Sequence, residues 1–227
     1  MIVYYRLTNI NSSNQSPIYS GDKLRLNELC LKSFVLTFKL ENPKVVFIAD
    51  YCGKEYEAMI EREVPFEYEI LWTGLGINGT ALKQYELAKK SDDNIILFQE
   101  CDYVYRPSVG KQMVEAIEKF QLFSPYDHPD FYSRYDIHDK LNEIILYKNN
   151  HYRTAKRNTM TFGMTREAFE ANYDILMKHG YLDEHVWYEM KDNGYPLHTP
   201  LPALATHMVK DYMAPVIPWD AVMKIFI

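Results

Sequence analysis

The chain has 227 residues, 47% hydrophobic and 25% charged, with 25 basic against 31 acidic side chains for a net charge of −6. This is enough apolar chain for one large α/β domain, and the negative balance excludes a protein coated in positive charge for general nucleic-acid binding. Three scattered cysteines, Cys30, Cys52 and Cys101, exclude a disulfide framework, and no apolar run reaches the roughly 18–20 residues of a membrane span, so a reducing, cytoplasmic setting is expected.

Met1 to Tyr5 reads as a first strand ending at Arg6, and the Asn-, Ser-, Pro- and Gly-bearing segment from Asn9 to Asp22 as a loop. Apolar positions at Leu26, Leu29, Cys30, Phe34, Leu36 and Phe38 predict a helix from Leu24 to Leu40, stopped by Asn42-Pro43. Lys44 to Asp50 is a second strand, Glu55 to Glu63 a short helix, and Glu67 to Thr73 a third strand. The turn GLGINGT, Gly74 to Thr80, leads into a helix from Ala81 to Lys90. Asn94 to Phe98 is a fourth, isoleucine-rich strand, followed by a helix from Ser108 to Phe120 that Ser108 is expected to cap.

This alternation predicts an α/β fold with a mostly parallel central sheet, right-handed crossovers and helices on both faces. Beyond it the pattern loosens. Strands are expected at Asn142 to Tyr147 and Asn158 to Met164, and helices at Arg166 to Gly180 and Leu182 to Asn193. The tail, with Pro196, Pro200, Pro202, Pro215 and Pro218, is expected to wrap over the sheet edge as loop and short strand. One domain, 1–227, is expected, with halves at 1–120 and 121–227.

Acids close two of the strands. Glu100 and Asp102, at i and i+2, project from one face of an extended backbone roughly 6–7 Å apart, with Cys101 pointing away. Asp50 ends the second strand. In a parallel sheet the carboxyl ends of strands share one rim, where ligands gather, and Mg²⁺ or Mn²⁺ favours a few carboxylates plus substrate phosphates. A single strand-end acid often just caps a helix, so the weight rests on three acids sharing a rim.

Other groups compete for notice. Gly74, Gly76 and Gly79 match neither a dinucleotide fingerprint nor a phosphate loop, and read as a tight turn whose helix amino terminus points at the same rim. His207 sits in a short run between prolines, and imidazole is acceptable to Mn²⁺. Asp183 and Glu184 open a helix. The run KNNHYRTAKR carries Lys148, Arg153, Lys156 and Arg157, and reads as solvated surface, a diphosphate clamp or a contact to a polyanionic acceptor.

Four segments, QECDYVYRP, SPYDHPDFY, RNTMTFGMT and LPALATHMVKDYMAPVIPW, together resemble the small nucleotide-sugar glycosyltransferases of the GT-A fold, those related to the family-two group. The resemblance covers most of the chain in order. It implies a nucleotide-binding half, an acceptor-binding half, and Mn²⁺- or Mg²⁺-dependent transfer of a sugar from a nucleoside diphosphate donor, foremost a UDP-sugar. By that resemblance Asp102 and His207 hold the metal and Glu100 supports it or the ribose. Asp50 faces the nucleobase, and Arg6 with Asn78 and Gly79 lines the nucleotide pocket. Asp183, with Glu184 as rival, is the base that deprotonates the acceptor hydroxyl. Cys101 departs from the pattern, leaving one carboxylate fewer than a full acidic triplet.

Arg153 or Arg157 is expected to neutralise the leaving diphosphate, and a base facing it across the sugar implies inversion. A saccharide or glycan is the expected acceptor. The basic run keeps open a nucleic-acid acceptor, such as a hydroxymethylated base in viral DNA. A nucleotide-sugar-binding module without catalysis and a nucleotidyltransferase are the rivals from other classes.

Overall fold

The structure, a computed structural model, describes residues 1–10, 16–133 and 143–227; the side chains of Asp183 and Glu184 also lie outside the described set. The first half alternates β1 (Ile2–Thr8), α1 (Lys23–Phe38), β2 (Lys44–Asp50), α2 (Lys54–Glu63), β3 (Tyr68–Thr73), α3 (Gly76–Ala88) and β4 (Ile95–Glu100). Next come β5 (Tyr103–Tyr105), α4 (Gly110–Phe120), β6 (Leu122–Phe123), α5 (Asp130–Ser133), β7 (Ile144–Tyr147), β8 (Asn150–Ala155) and β9 (Phe162–Thr165). The chain closes with α6 (Arg166–His179), α7 (Asp183–Asp192), β10 (Leu197–Leu201), β11 (Ala205–His207) and α8 (Trp219–Met223).

Nine strands form one sheet in the order β3-β2-β1-β4-β9-β6-β10-β8-β7, and β5 pairs with β11 in a separate ribbon. The pairings run β8 and β9 against the other seven strands, so the sheet is mostly parallel. β1 shows why it is central. Its sequence, IVYYRLT, is apolar on both faces, as a strand covered by helices on each side must be. Val3, Tyr5 and Leu7 pack with α1, α2 and α4, while Ile2 and Tyr4 pack with α3, α6 and α7. Asp22 caps α1 by accepting from the Arg25 amide at 3.1 Å, and Thr165 caps α6 through the Ala168 amide at 3.2 Å.

Several local expectations are corrected. The GLGINGT turn is already helical from Gly76, which takes φ +70°, a left-handed conformation that glycine adopts without strain. Ser108 does not cap α4, because it lies at φ +61° and the helix begins two residues later. Strand 150–155 runs through the basic segment, and β9 begins at Phe162 rather than Asn158. β10 lies within the sheet, between β6 and β8, rather than over its edge. Pro200 is tolerated there because β6 is two residues long and pairs only at His198, so no ladder bond to β6 is lost. Asn142, the expected start of β7, lies outside the described residues. Among the described residues no helix is long and apolar enough to cross a membrane.

Candidate functional site

The ends of β1, β2 and β4 meet in register, with Thr8 opposite Asp50 and Arg6 opposite Glu100. A cavity of about 410 Å³ opens at this rim, lined among others by Arg6, Lys23, Asp50, Glu100, Asp102, Tyr181 and His207. That volume lies in the range of small-molecule sites. The three acids expected on one rim do line one cavity.

Each acid is held differently. Asp50, almost fully buried, accepts through Oδ1 from Thr73 Oγ1 at 2.9 Å and from the amides of Leu75 and Gly76 at 2.8 and 3.3 Å. It thereby fixes the turn into α3. The next residue, Tyr51, sits at φ +54°, strained for a non-glycine, and its hydroxyl donates to the Gly74 carbonyl at 2.9 Å. Glu100 accepts from Arg6 Nη2 at 2.8 Å, while Arg6 Nη1 donates to the Ile77 carbonyl at 3.1 Å. Arg6 therefore ties β1, β4 and α3 together, with its guanidinium 5.6 Å from the Tyr181 ring.

After Glu100 the chain turns through Cys101 into β5, so Glu100 and Asp102 are not two positions on one extended strand. Cys101 packs into the core beside α1, and burial pushes its thiol up. β5 pairs with β11, setting Tyr103 opposite His207, whose ring stacks on Tyr103 with centroids 5.0 Å apart and planes at 4°. His207 Nε2 then lies 3.3 Å from Asp102 Oδ2. Burial opposes charge on both, but their mutual attraction and hydrogen bond hold the Asp102 carboxyl well below the usual carboxylate range and raise His207 above the usual imidazole value.

A divalent cation suits this donor set in one form only. Among the described residues no three His, Cys, Asp or Glu side chains cluster as a closed metal cage. Asp102 and His207 are instead an oxygen and a nitrogen donor side by side on the cavity wall. Such a pair fits an ion that completes its shell with phosphate oxygens and water, as Mg²⁺ and Mn²⁺ do.

Other expected site residues fall elsewhere. Asn78 and Gly79 lie in the first turn of α3 outside the cavity lining; Asn78 Oδ1 accepts from the Tyr181 amide at 3.1 Å, and a side chain on Gly79 would meet Leu75 Cβ at 2.7 Å. Arg153 is also away from the cavity. It is buried on β8, bonded to Asp127 and stacked 4.2 Å over the Phe131 ring, so its guanidinium is engaged within the fold rather than turned to the cavity. Arg157 follows β8 and is likewise outside the lining. Lys148 pairs with Glu115 at 2.9 Å. Asp183 and Glu184 begin α7, two residues beyond the cavity-lining Tyr181, with their side chains outside the described residues.

Lys23 was not anticipated. It is the first residue of α1, only 7% exposed, and lines the cavity. The Asp22 cap marks the helix start, but nothing in the local pattern distinguishes this lysine from a solvated one.

No protein-family model and no curated protein matches the chain. Solved structures match in fold. The inositol-1-phosphate CTP transferase from T. maritima gives a TM-score of 0.55 at 11% identity, over 99% of this chain and 95% of that one. A putative nucleotide-diphospho-sugar transferase from Desulfovibrio desulfuricans G20 gives 0.53 at 7% identity, over 87% and 78%. The 4-diphosphocytidyl-2C-methyl-D-erythritol synthase from Anaerococcus prevotii DSM 20548 gives 0.52 at 10% identity, over 99% and 94%. The chain thus has the GT-A fold of the nucleotide-diphospho-sugar transferases, a fold shared with nucleotidyltransferases.

Proposed function

We propose that this protein is a glycosyltransferase that moves a sugar from a nucleoside diphosphate donor, foremost a UDP-sugar, to a saccharide hydroxyl. The observation that carries the reading is the Asp102–His207 pair at the mouth of a cavity formed by the strand ends. Asp102 and His207 would hold Mn²⁺ or Mg²⁺, which supplies charge neutralisation for a departing diphosphate. Asp50, fixed by its three donors, presents a carboxylate edge to the nucleobase. The Arg6–Glu100 pair keeps the β1 and β4 ends rigid beneath the donor. Asp183, with Glu184 as rival, accepts the proton of the acceptor hydroxyl, a contribution of roughly 10²–10⁴-fold. Attack from that side, opposite the diphosphate, inverts the anomeric centre.

The basic segment gives a nucleic-acid acceptor little support, because Lys148 is engaged by Glu115 and Arg153 by Asp127. One observation favours a second reading. Lys23 places a cation in the cavity just after the loop that follows β1, which suits a nucleotidyltransferase binding a triphosphate. Product analysis separates the two. With Mn²⁺, a panel of nucleotide sugars and saccharides should give free nucleoside diphosphate and a glycosylated product, whereas release of pyrophosphate from a nucleoside triphosphate with a sugar phosphate would replace the first reading by the second.

A further inference from the structure

The His207 ring is held in place more by aromatic neighbours than by hydrogen bonds. Among the described residues it makes one hydrogen-bonding contact, Nε2 with Asp102 Oδ2 at 3.3 Å. That is just beyond the usual range of about 2.7–3.2 Å, and one such contact leaves the imidazole free to tilt about it. What fixes the plane is Tyr103, directly opposite on β5: the two rings stack with centroids 5.0 Å apart and planes at 4°. Tyr126 closes the arrangement from the side, its ring 6.3 Å from His207 and 5.6 Å from Tyr103 and nearly perpendicular to both.

Tyr103 is itself pinned. It is fully buried, and its hydroxyl shares a hydrogen bond with the hydroxyl of Thr159, a residue of the cavity wall. The loop that carries Thr159 is fixed in turn through Asn158. The Asn158 side chain accepts from the Thr159 amide at 2.8 Å and donates to the Tyr126 carbonyl at 2.7 Å, while its carbonyl accepts from Trp187 Nε1 at 2.6 Å. A phenylalanine would fill the same space with no buried hydroxyl to satisfy, so packing alone does not call for a tyrosine here. The hydroxyl bond ties the far end of the ring to the cavity wall and sets its tilt.

We infer that Tyr103 is a positioning residue for a divalent cation: it fixes the plane of the His207 imidazole so that Nε2 stays beside Asp102 Oδ2, and Thr159 holds Tyr103 in that orientation. This rests on the reading of Asp102 and His207 as the cation's protein donors. A ligating histidine ordinarily gains its orientation from a carboxylate or carbonyl on its second ring nitrogen. Here the stacked tyrosine takes that part, and it reaches His207 through a strand pairing rather than a hydrogen bond. Two donors brought together from distant parts of the chain bind an ion strongly only when neither must be reoriented on binding, because ordering a side chain costs free energy.

Mn²⁺ is titrated into the purified protein and the free ion counted by electron paramagnetic resonance, a readout that needs no transfer activity. Tyr103→Leu should weaken Mn²⁺ binding by about tenfold or more, the size expected when the support of a ligating histidine is removed. Tyr103→Phe and Thr159→Val each remove the hydroxyl bond and leave the ring. Each should therefore weaken binding by a smaller factor, and the double variant no further than either alone. Phe47→Leu is the control: this ring is equally buried in the same hydrophobic cluster, and its loss should lower the melting temperature while Mn²⁺ affinity holds. Wild-type affinity in Tyr103→Leu, or an equal loss in Phe47→Leu, overturns the role of Tyr103 and leaves the cation site standing. Wild-type protein that binds no Mn²⁺ removes the cation site and the role of Tyr103 with it. Should Tyr103→Leu fail to fold, Tyr103→Phe and Thr159→Val decide, and unchanged affinity in both overturns the proposal.

Discussion

His207 Nε2 lies 3.3 Å from Asp102 Oδ2 although 105 residues separate them in the chain. The contact is made by the ribbon of β5 and β11, which brings the end of the chain back to the turn after β4. Both side chains are about one-fifth exposed, 21% for Asp102 and 19% for His207, so they pair without being sealed from a ligand. A structural ion pair needs no cavity beside it; this one borders a cavity that also holds Asp50 and the Arg6–Glu100 pair.

Glu100 holds Arg6 at the rim, and both are largely buried, at 15% and 7% exposed. Glu100→Ala leaves the guanidinium without its carboxylate and should destabilise the fold by about 3 kcal/mol. Denaturant unfolding measures this. A double variant, Arg6→Met with Glu100→Leu, should recover much of the loss.

Asp50 is both an acceptor for the turn into α3 and a charge at the cavity. Asp50→Asn keeps the carbonyl acceptor for Leu75 and Gly76, so its stability should fall by no more than about 1 kcal/mol, while nucleotide affinity drops. Asp50→Ala removes the acceptor of those part-buried amides and should cost about 1 kcal/mol more than Asp50→Asn in the same unfolding measurement.

Arg153 is a fold residue. Replacing it with methionine leaves Asp127 buried without its partner and should cost about 3–5 kcal/mol. Calorimetric titration of the folded Arg153→Met protein should give nucleotide affinity close to wild type. A diphosphate clamp would show the opposite pattern, with stability preserved and affinity lost.

His198 makes stability depend on pH. Buried and stacked 4.3 Å from Phe120, it is kept neutral, because burial lowers its pKa. The unfolded chain then binds the proton more readily, so the stabilisation is complete above the ordinary histidine value of about 6.5 and is lost as pH falls through it. His207, whose pKa is raised, works in the opposite direction over the same range, so the test is the difference: between pH 7.5 and 5.5 wild type should lose more melting temperature, or gain less, than His198→Gln.

The parallel half of the fold was legible because its strands are apolar on both faces and separated by helical periodicity. β2, from Lys44 to Asp50, coincides with its expected range, since Asn42-Pro43 and the acid bound it on both sides. β5 and β6 were not legible, being three and two residues long and too short to carry a period. Asp50 and Glu100 were expected on one rim because the ends of parallel strands share it, and both line the cavity; Asp102 reaches it from the turn after β4. Arg153 was misplaced because its pairing with Asp127 depends on a fold-back that no local pattern encodes. Lys23 was missed for the same reason. A lysine at a helix start reads as solvated until the wall across from it is known.

The most direct test of the central claim measures thermal stabilisation by nucleoside diphosphates and their sugars with and without Mn²⁺, in wild type, Asp102→Asn and His207→Ala. A ligand at a hundredfold excess over its dissociation constant adds about 2.7 kcal/mol to native-state stability. The account predicts a Mn²⁺-dependent increment in wild type, largest for a uridine nucleotide sugar, that both variants lose. An increment that persists undiminished in both variants, or its absence in wild type with every nucleotide tried, would contradict it.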